Sequence, residues 1–142
     1  MERPLPYDSL RGEIFAHYTR LDIEARTLRF MNPIPDAALV KLINQSHNAL
    51  VVPLWDQDNL RGVCEVHLSP TNAEIGISLE APLRGRGLGR QLLKAGLNVA
   101  RIAGSTCAEF FFASDNTAMN RLLTPITHVE RFGNERHALI SL

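Results

Sequence analysis

The sequence predicts a mixed α/β domain with a partly antiparallel sheet flanked by helices. In the first third, apolar residues recur at a spacing of three to four, which is typical of amphipathic helices. Further on, short apolar runs alternate with turn-rich clusters, as strands do. A strand, a glycine-rich stretch and a long amphipathic helix then follow one another. With 142 residues, the chain is expected to form one domain over residues 1–142.

The helical first third consists of three segments. They read "SLRGEIFAHYTRL", "DIEARTLRFM" and "PDAALVKLINQ", and the last is expected to begin at Pro35 and Asp36. Two strands are then predicted over 49–55 and 60–68, bounded by the turn-rich clusters "DQDN" and "SPTN".

The clearest strand is "AEIGISLE", in which Ile75, Ile77 and Leu79 alternate with smaller or polar residues. The helix predicted over 88–103 carries its apolar residues on one side. A strand over 107–113, a short helix capped near Ser114 or Asp115 and a hairpin complete the prediction. They read "CAEFFFA", "DNTAMNRLL" and "ITHVERF" with "RHALISL".

The composition excludes some classes of function. Fifteen basic side chains balance fifteen acidic ones, so general attraction to nucleic acid or to an anionic membrane is not expected. The two cysteines, Cys64 and Cys107, lie in apolar stretches outside any zinc-ligand spacing and are expected to be buried, reduced thiols. The five histidines show no ligand spacing, so no metal site is predicted. Neither a signal peptide nor a membrane span is recognisable, and a cytoplasmic protein is expected.

The stretch "LRGRGLGRQLL" concentrates three arginines and three glycines between a strand and a helix. The first amides of a helix lack intrahelical partners and attract anions, and glycine lets an anion approach the backbone. A phosphate site is therefore predicted. The stretch lacks the Lys-Ser/Thr ending of a P-loop, and its GxGxG spacing does not match the dinucleotide fingerprint GxGxxG.

The pattern that fits is (Gln/Arg)-x-x-Gly-x-(Gly/Ala), met by Arg84, Gly87 and Gly89. It resembles the acetyl-CoA-binding motif of the GNAT superfamily of N-acetyltransferases. The longer stretch "AEIGISLEAPLRGRGLGRQLL" resembles that family's strand, loop and helix, and "FFASDNTAMNRLL" the strand and helix that follow. The segment "LDIEARTLRFM" is similar to a helix of bacterial protein acetyltransferases of the Pat type. The resemblance extends over roughly residues 20 to 124.

The resemblance implies a GNAT-like fold in which the strand before the loop splays from its neighbour, with the pantetheine arm of acetyl-CoA in the gap. The strand contacts would be Ile77, Ser78 and Leu79. The pyrophosphate would lie on the loop and the helix start, and these residues are Arg84, Gly85, Arg86, Gly87, Leu88, Gly89 and Arg90. Asn116 would bind the pantetheine arm, although a simple helix cap explains it equally well. GNAT domains usually open with a strand, and "MERPLP" predicts that this strand is short or absent.

Acetyl transfer to an amine needs a base, because a lysine-like amine is almost fully protonated at pH 7. Glu74 occupies the position of the catalytic glutamate in Pat-type enzymes, ten residues before Arg84. A solvated glutamate at a strand end is the alternative interpretation. Glu65 and His67 on the neighbouring strand are weaker candidates and are interpreted as surface residues. Many GNAT enzymes carry an acidic tyrosine seven residues after the asparagine, where this chain has Leu123.

Tyr18, Arg26 and Phe30 are candidates for the acceptor side, and core packing or ion pairing explains them as well. The preferred hypothesis is an acetyl-CoA-dependent N-acetyltransferase in which a primary amine, on a protein lysine or a small molecule, attacks directly in a ternary complex. A non-catalytic CoA-binding or acyl-CoA-binding sensor is the alternative. A nucleic-acid contact by "RGRGLGR" is a third, less favoured interpretation. By analogy with the family, a homodimer is conceivable.

Overall fold

A computed structural model describes residues 3–46 and 48–142 of the chain. The strands are β1 Leu5–Pro6, β2 Ala49–Asp56, β3 Asn59–Leu68, β4 Asn72–Leu79, β5 Cys107–Ala113, β6 Val129–Phe132 and β7 Glu135–Ser141. The helices are α1 Arg11–Arg20, α2 Ile23–Phe30, α3 Asp36–Asn44, α4 Leu88–Ile102 and α5 Thr117–Leu123. Short 3₁₀ turns precede α1 and follow β4.

In the described residues the strands form one sheet in the order β1-β2-β3-β4-β5-β7-β6. Every neighbouring pair is antiparallel except β4 and β5, which run parallel. The parallel pair is joined by α4, as a crossover between parallel strands requires. The expected mixed, partly antiparallel sheet flanked by helices is confirmed. The first strand is present but only two residues long, as the short "MERPLP" segment predicted.

Two apolar clusters cover the two faces of the sheet. On one face, α4 and α5 bury residues such as Leu92, Val99 and Leu123 against β3, β4 and β5. On the other face, α1 and α3 bury Ile14 and Leu39 against β2 and β3. Because β3 is covered on both faces, its side chains are buried on both sides, which is unusual for a strand of an antiparallel pair.

Candidate functional site

The splay between β4 and β5 opens the sheet. The two strands pair only over three positions, Asn72–Glu74 with Cys107–Glu109. Beyond Glu74, β4 continues to Leu79 paired with β3 alone, while β5 continues paired with β7. A wedge-shaped gap therefore separates the carboxyl-terminal halves of two neighbouring strands.

The backbone of β4 presents alternate residues to this gap. The amide of Glu80 donates to the carbonyl of Arg61 at 2.8 Å, which extends the β3–β4 ladder past Leu79. In an antiparallel pair, alternate residues point their amide and carbonyl toward the partner strand. Ser78 therefore bonds to β3, whereas Ile77 and Leu79 direct their backbone groups into the gap. One of these groups already has a partner, because Arg84 Nε donates to the carbonyl of Leu79 at 3.0 Å.

The loop at the end of the gap has the geometry of an anion site. Gly85 and Gly87 adopt left-handed backbone angles, with φ of 72° and 77°, and a Cβ at either position would meet no atom within 4 Å. Gly87 is the N-cap of α4 and offers no side-chain cap, so the first amides of the helix are left for an external acceptor. Within the described residues, the exposed side chains of Arg86 and Arg90 form no ion pair. A doubly charged phosphate group fits this open, positively polarised surface.

The loop-side cavity, of about 400 Å³, lies between this loop and α2. Its residues include Leu21, Asp22, Ala25, Ile77, Ser78, Leu79, Arg84 and Gly89. Arg84 lies across the mouth of this cavity. Its Nη1 is 3.5 Å from the Asp22 carboxylate on one side, and its Nε donates to the carbonyl of Leu79 on the other. Of the predicted cofactor residues, Ile77, Ser78, Leu79, Arg84, Gly89 and Asn116 line this cavity.

The inner cavity, of about 280 Å³, continues from the loop-side cavity toward β3. The two cavities share Leu28, Arg29, Ile77, Asn116 and Met119, so they are adjoining parts of one cleft. Glu74 is exposed and lines the inner cavity, directly across the β3–β4 pair from His67. The candidate base and six of the candidate cofactor residues thus line the same cleft. The other predicted cofactor residues lie on the loop and the helix start outside both cavities, and they are Gly85, Arg86, Gly87, Leu88 and Arg90.

Glu65 lies at the base of the inner cavity, and its interpretation as a surface residue is wrong. The residue is 3% exposed, because α1 covers this face of β3. Its carboxylate accepts a hydrogen bond from the Tyr18 hydroxyl and lies 2.9 Å from His67 Nε2 and 3.3 Å from Arg29 Nη2. The apolar residues on both faces of its strand were the signal that could have indicated this burial. His67 is partly exposed, which is closer to its interpretation as a surface residue.

Arg29 is a site residue that the sequence interpretation missed. Its guanidinium packs near the rings of Phe30 and Tyr18, and it lines both cavities. Among the described residues its buried Nε has no hydrogen-bond partner, and burial lowers the pKa of the side chain. A Cβ at Gly76 would lie 2.5 Å from its Cζ. A glycine inside a strand often marks such a close approach, and this was the available signal.

Asn116 fulfils the capping interpretation and also lines both cavities. Its Oδ1 accepts from the amide of Met119 at 3.2 Å, so it is the N-cap of α5. The cap thus lies one residue beyond Asp115, near the predicted position. Its Nδ2 has no hydrogen-bond partner in the described part of the chain. A cavity ligand can therefore accept from Nδ2 without disturbing the cap.

Of the acceptor-side candidates, two line the cleft and one does not. Tyr18 and Phe30 line the inner cavity and pack edge to face with centroids 5.0 Å apart. Arg26 lies outside both cavities and pairs with Asp36 at 2.8 Å.

A buried polar network adjoins the loop-side cavity. His17, which is 0% exposed, lies between Ser78 and Glu80, with Nε2 2.8 Å from the Ser78 hydroxyl and Nδ1 2.9 Å from the Glu80 carboxylate. Arg20 and Arg61 donate to the same carboxylate at 2.9 and 3.1 Å. Burial lowers the pKa of His17. Burial alone would raise the pKa of Glu80, but hydrogen bonds from Arg20 and His17 outweigh it, so that pKa is lowered.

The remaining expectations concern metals, thiols and membranes. His47 lies outside the described residues. Within the described ranges, no group of three or more histidine, cysteine or acidic side chains is arranged to hold a metal ion. Cys64 is buried and Cys107 is half-buried, and both are free thiols. No helix in the described ranges is long and apolar enough to cross a membrane.

Comparison with known proteins supports the geometry. Residues 16–124 match the model of the acetyltransferase (GNAT) family. The fold is similar to the GNAT domain of S. lividans PAT, with a TM-score of 0.83 and 16% identity over 99% of this chain and 89% of that one. It is also similar to the PaiA N-acetyltransferase from Thermoplasma acidophilum in complex with coenzyme A (TM-score 0.72, 14% identity, 99% and 97% covered). YncA, a putative acetyltransferase from Salmonella typhimurium with acetyl-CoA, gives a TM-score of 0.72 at 16% identity, with 99% and 92% covered. No curated protein sequence matches the chain.

Proposed function

This chain belongs to the GNAT acetyltransferase family, and from that premise we propose that it transfers the acetyl group of acetyl-CoA to a primary amine. The observation that carries the proposal is the continuous cleft. It begins at the anion-binding loop, follows the open edge of β4 and ends at Glu74. Such a cleft would hold the phosphates of acetyl-CoA near its loop end and the thioester near the proposed base.

The residues of the loop-side cavity fit CoA. The backbone groups of Ile77 and the amide of Leu79 lack a strand partner and offer hydrogen bonds to a pantetheine arm, much as a missing strand would. Gly85 and Gly87 leave open space where a Cβ would stand, and the start of α4 supplies amides for a pyrophosphate. PaiA and YncA, which share the fold, contain CoA and acetyl-CoA. When bound, acetyl-CoA supplies the activated thioester.

Glu74 is the proposed general base. Its exposed carboxylate lines the inner cavity and makes no hydrogen bond or ion pair with the described residues. It is therefore available to take a proton from an acceptor ammonium, directly or through a water molecule. A lysine-like amine has a pKa of about 10.4 and must lose this proton before it attacks.

The amide of Ile77 is the proposed donor to the carbonyl oxygen of the transferred group. Ile77 lines both cavities, and its backbone faces the gap at the point where they join. A fixed N–H aimed at a developing negative charge typically contributes about 3–4 kcal/mol to a transition state. Leu123 is buried and has no proton to donate, so no side chain at that position assists the leaving thiolate.

The acceptor is a primary amine on a protein lysine or a small molecule. The aromatic rings of Tyr7, Tyr18, Phe30 and Phe111 line the inner cavity together with the carboxylates of Glu65 and Glu74. Rings and carboxylates favour a cation. The similarity of α2 to a Pat-type helix favours a protein lysine. Two features motivate the alternative function, CoA binding without catalysis: Leu123 stands where many family members carry a tyrosine, and the helix ends in Thr124-Pro125-Ile126 instead of the family's Gly-Phe.

Titration calorimetry with acetyl-CoA tests the cofactor site. We expect micromolar binding by the wild type and loss of binding in Gly87→Glu, where a carboxylate would repel the pyrophosphate. Gly104→Glu is the matched control, since Gly104 also has a positive φ and open surroundings but follows the opposite end of α4. Absence of binding by folded wild type would refute the proposal. Binding without acetyl transfer to any of a panel of lysine peptides and small amines would favour the sensor alternative.

A further inference from the structure

The hydrogen-bonded network of Glu80, His17 and Ser78 determines whether the Ser78 hydroxyl, which lines the loop-side cavity, can donate or only accept a hydrogen bond. An ionised carboxylate only accepts hydrogen bonds, so the 2.9 Å contact requires a proton on His17 Nδ1. A neutral histidine with its proton on Nδ1 has an acceptor at Nε2. The 2.8 Å contact then requires the Ser78 hydroxyl to donate to His17.

The charge state of the network follows from its surroundings. Against the effect of burial, hydrogen bonds from Arg20 and His17 lower the pKa of Glu80, and Arg61 also pairs with its carboxylate, so this group is ionised. Burial lowers the pKa of His17 and outweighs the opposite effect of Glu80, so the imidazole is neutral. The backbone carbonyl of Leu60 also accepts from Arg20, which fixes that guanidinium. Four side chains from α1, β3 and the end of β4 are thus ordered around one serine.

Ser78 can meet the loop-side cavity only with its side chain, because its backbone groups bond to β3. Its single hydroxyl proton is used by His17, so the oxygen has only lone pairs left to offer. A hydroxyl with a free proton adapts to a donor or an acceptor, whereas this one accepts only. The ligand atom that faces it must carry a proton.

We infer that Ser78 Oγ accepts a hydrogen bond from an amide N–H of the pantetheine arm, with His17 and Glu80 as positioning residues that keep the oxygen an acceptor. The inference rests on the proposed cofactor site and adds a side-chain contact to the backbone contacts of Ile77 and Leu79. Pantetheine carries two amide N–H groups, and one of them is expected to lie opposite Ser78.

The test compares acetyl-CoA with two analogues, each with one pantetheine amide N–H replaced by an ester oxygen. Kd is measured by calorimetry for the wild type, Ser78→Ala and Ser105→Ala. Ser105 is the matched control, since it is also 8% exposed but lines neither cavity. The wild type and Ser105→Ala should bind acetyl-CoA about 3- to 10-fold more tightly than one of the analogues, the value of one neutral hydrogen bond. In Ser78→Ala this preference should fall to about 1-fold.

The ratio of the affinities for acetyl-CoA and for the analogue separates loss of the hydrogen bond from effects on folding, because partial unfolding weakens the binding of both ligands equally. An unchanged ratio in Ser78→Ala would overturn the inference while leaving the proposed function intact. Failure of the wild type to bind acetyl-CoA would instead remove the proposed function. His17→Gln gives a second readout, since its amide nitrogen can donate to the Glu80 carboxylate while its oxygen accepts from the Ser78 hydroxyl, as the imidazole does. We expect its preference to stay near the wild-type value, and a reversed preference would contradict the assigned direction of the Ser78 hydrogen bond.

Serine, histidine and glutamate in this order also resemble a nucleophile with its base. An acetylated Ser78, found by intact-mass and peptide analysis after incubation with acetyl-CoA, would overturn the inference, because a nucleophile gives its proton to His17 and forms a bond to carbon. The expected result is an unmodified serine.

Discussion

The guanidinium of Arg29 lies on the backbone of Gly76, and a Cβ at that glycine would come within 2.5 Å of Cζ. Gly76 lies opposite Glu65 in the β3–β4 pair, and Glu65 forms an ion pair with Arg29. The strand pairing and the ion pair therefore bring these three residues together. Arg29 lines both cavities, whereas Gly76 and Glu65 line the inner one. A residue without a side chain in β4 therefore permits a buried charge beside the proposed reaction centre.

Gly76→Ala is expected to destabilise the protein by about 1–3 kcal/mol, because the guanidinium must move from its pocket. In an Arg29→Ala background the same substitution should cost much less, since the obstructing group is gone. Urea unfolding of the four proteins in this cycle measures the coupling. Gly12→Ala is the control, as a Cβ there meets nothing within 4 Å. An equal cost in both backgrounds would contradict the contact.

Glu74→Gln is expected to lower kcat by roughly 10²–10⁴, because the amide cannot take a proton. Binding of acetyl-CoA and the free energy of unfolding should remain near the wild-type values, since Glu74 is exposed and makes no contact that the substitution breaks. Steady-state kinetics with a lysine peptide and calorimetry measure the two effects. A kcat within a few-fold of the wild type would remove Glu74 as the base.

Glu65→Gln is expected to act mainly on stability. Loss of the carboxylate leaves Arg29 without its ion-pair partner, and breaking a buried pair typically costs about 3–5 kcal/mol. Glu65→Gln should therefore lower the midpoint of urea unfolding far more than Glu74→Gln does. A stable Glu65→Gln protein with no activity would instead identify Glu65 as a catalytic group.

Asn116→Asp separates the two roles of Asn116. Aspartate caps a helix about as well as asparagine, so stability should be retained, but it lacks the Nδ2 donor that faces the cleft. We expect unchanged thermal unfolding with weaker binding of acetyl-CoA. Asn116→Ala should lose both the cap, worth about 1 kcal/mol, and the binding. Unchanged affinity in both variants would leave Asn116 as a cap only.

Stability is expected to fall on acidification through His17 and Glu80. The native pKa of His17 is lowered, so below about pH 6.5 the unfolded chain binds a proton that the folded protein does not. The native pKa of Glu80 is also lowered, so its contribution is complete above about pH 4.3 and is lost as the pH falls toward the native value. Thermal unfolding at pH 7.5, 6 and 5, and at pH 4 where the protein remains folded, measures both effects. In Glu80→Gln the deficit relative to the wild type should not shrink between pH 7.5 and 5, where the Glu80 contribution is complete, and should begin to shrink only below about pH 4.3. A deficit that already shrinks at pH 6 would contradict this origin.

The elements were predictable because their signals are local. The alternation of Ile75, Ile77 and Leu79 defined β4, and the run over 107–113 matches β5 residue for residue. The left-handed glycines of the loop could be anticipated from the spacing of Gly85 and Gly87. Each of these signals depends on neighbours in sequence, which a single chain displays.

The buried polar contacts were not predictable, because they join distant segments. Tyr18 and Glu65 are 47 positions apart, and His17 and Glu80 are 63 apart. Only the packing of α1 on β3 brings these groups together. The apolar residues of β3 could have indicated burial on both faces, although Glu65 was interpreted as a surface residue. Nothing in the strand indicates that α1 supplies a hydroxyl and an imidazole to bind the two carboxylates.

The three-residue pairing of β4 with β5 has a thermodynamic consequence. The protein folds with one strand position open along half of β4, where the backbone groups of Ile77 and the amide of Leu79 have no strand partner. A ligand that fills this position completes the sheet. Ligand and native state are then coupled, and stability should rise as RT ln(1 + [L]/Kd), by about 2.7 kcal/mol when acetyl-CoA is at one hundred times its Kd. The cofactor would thus serve as the eighth strand of a seven-stranded sheet.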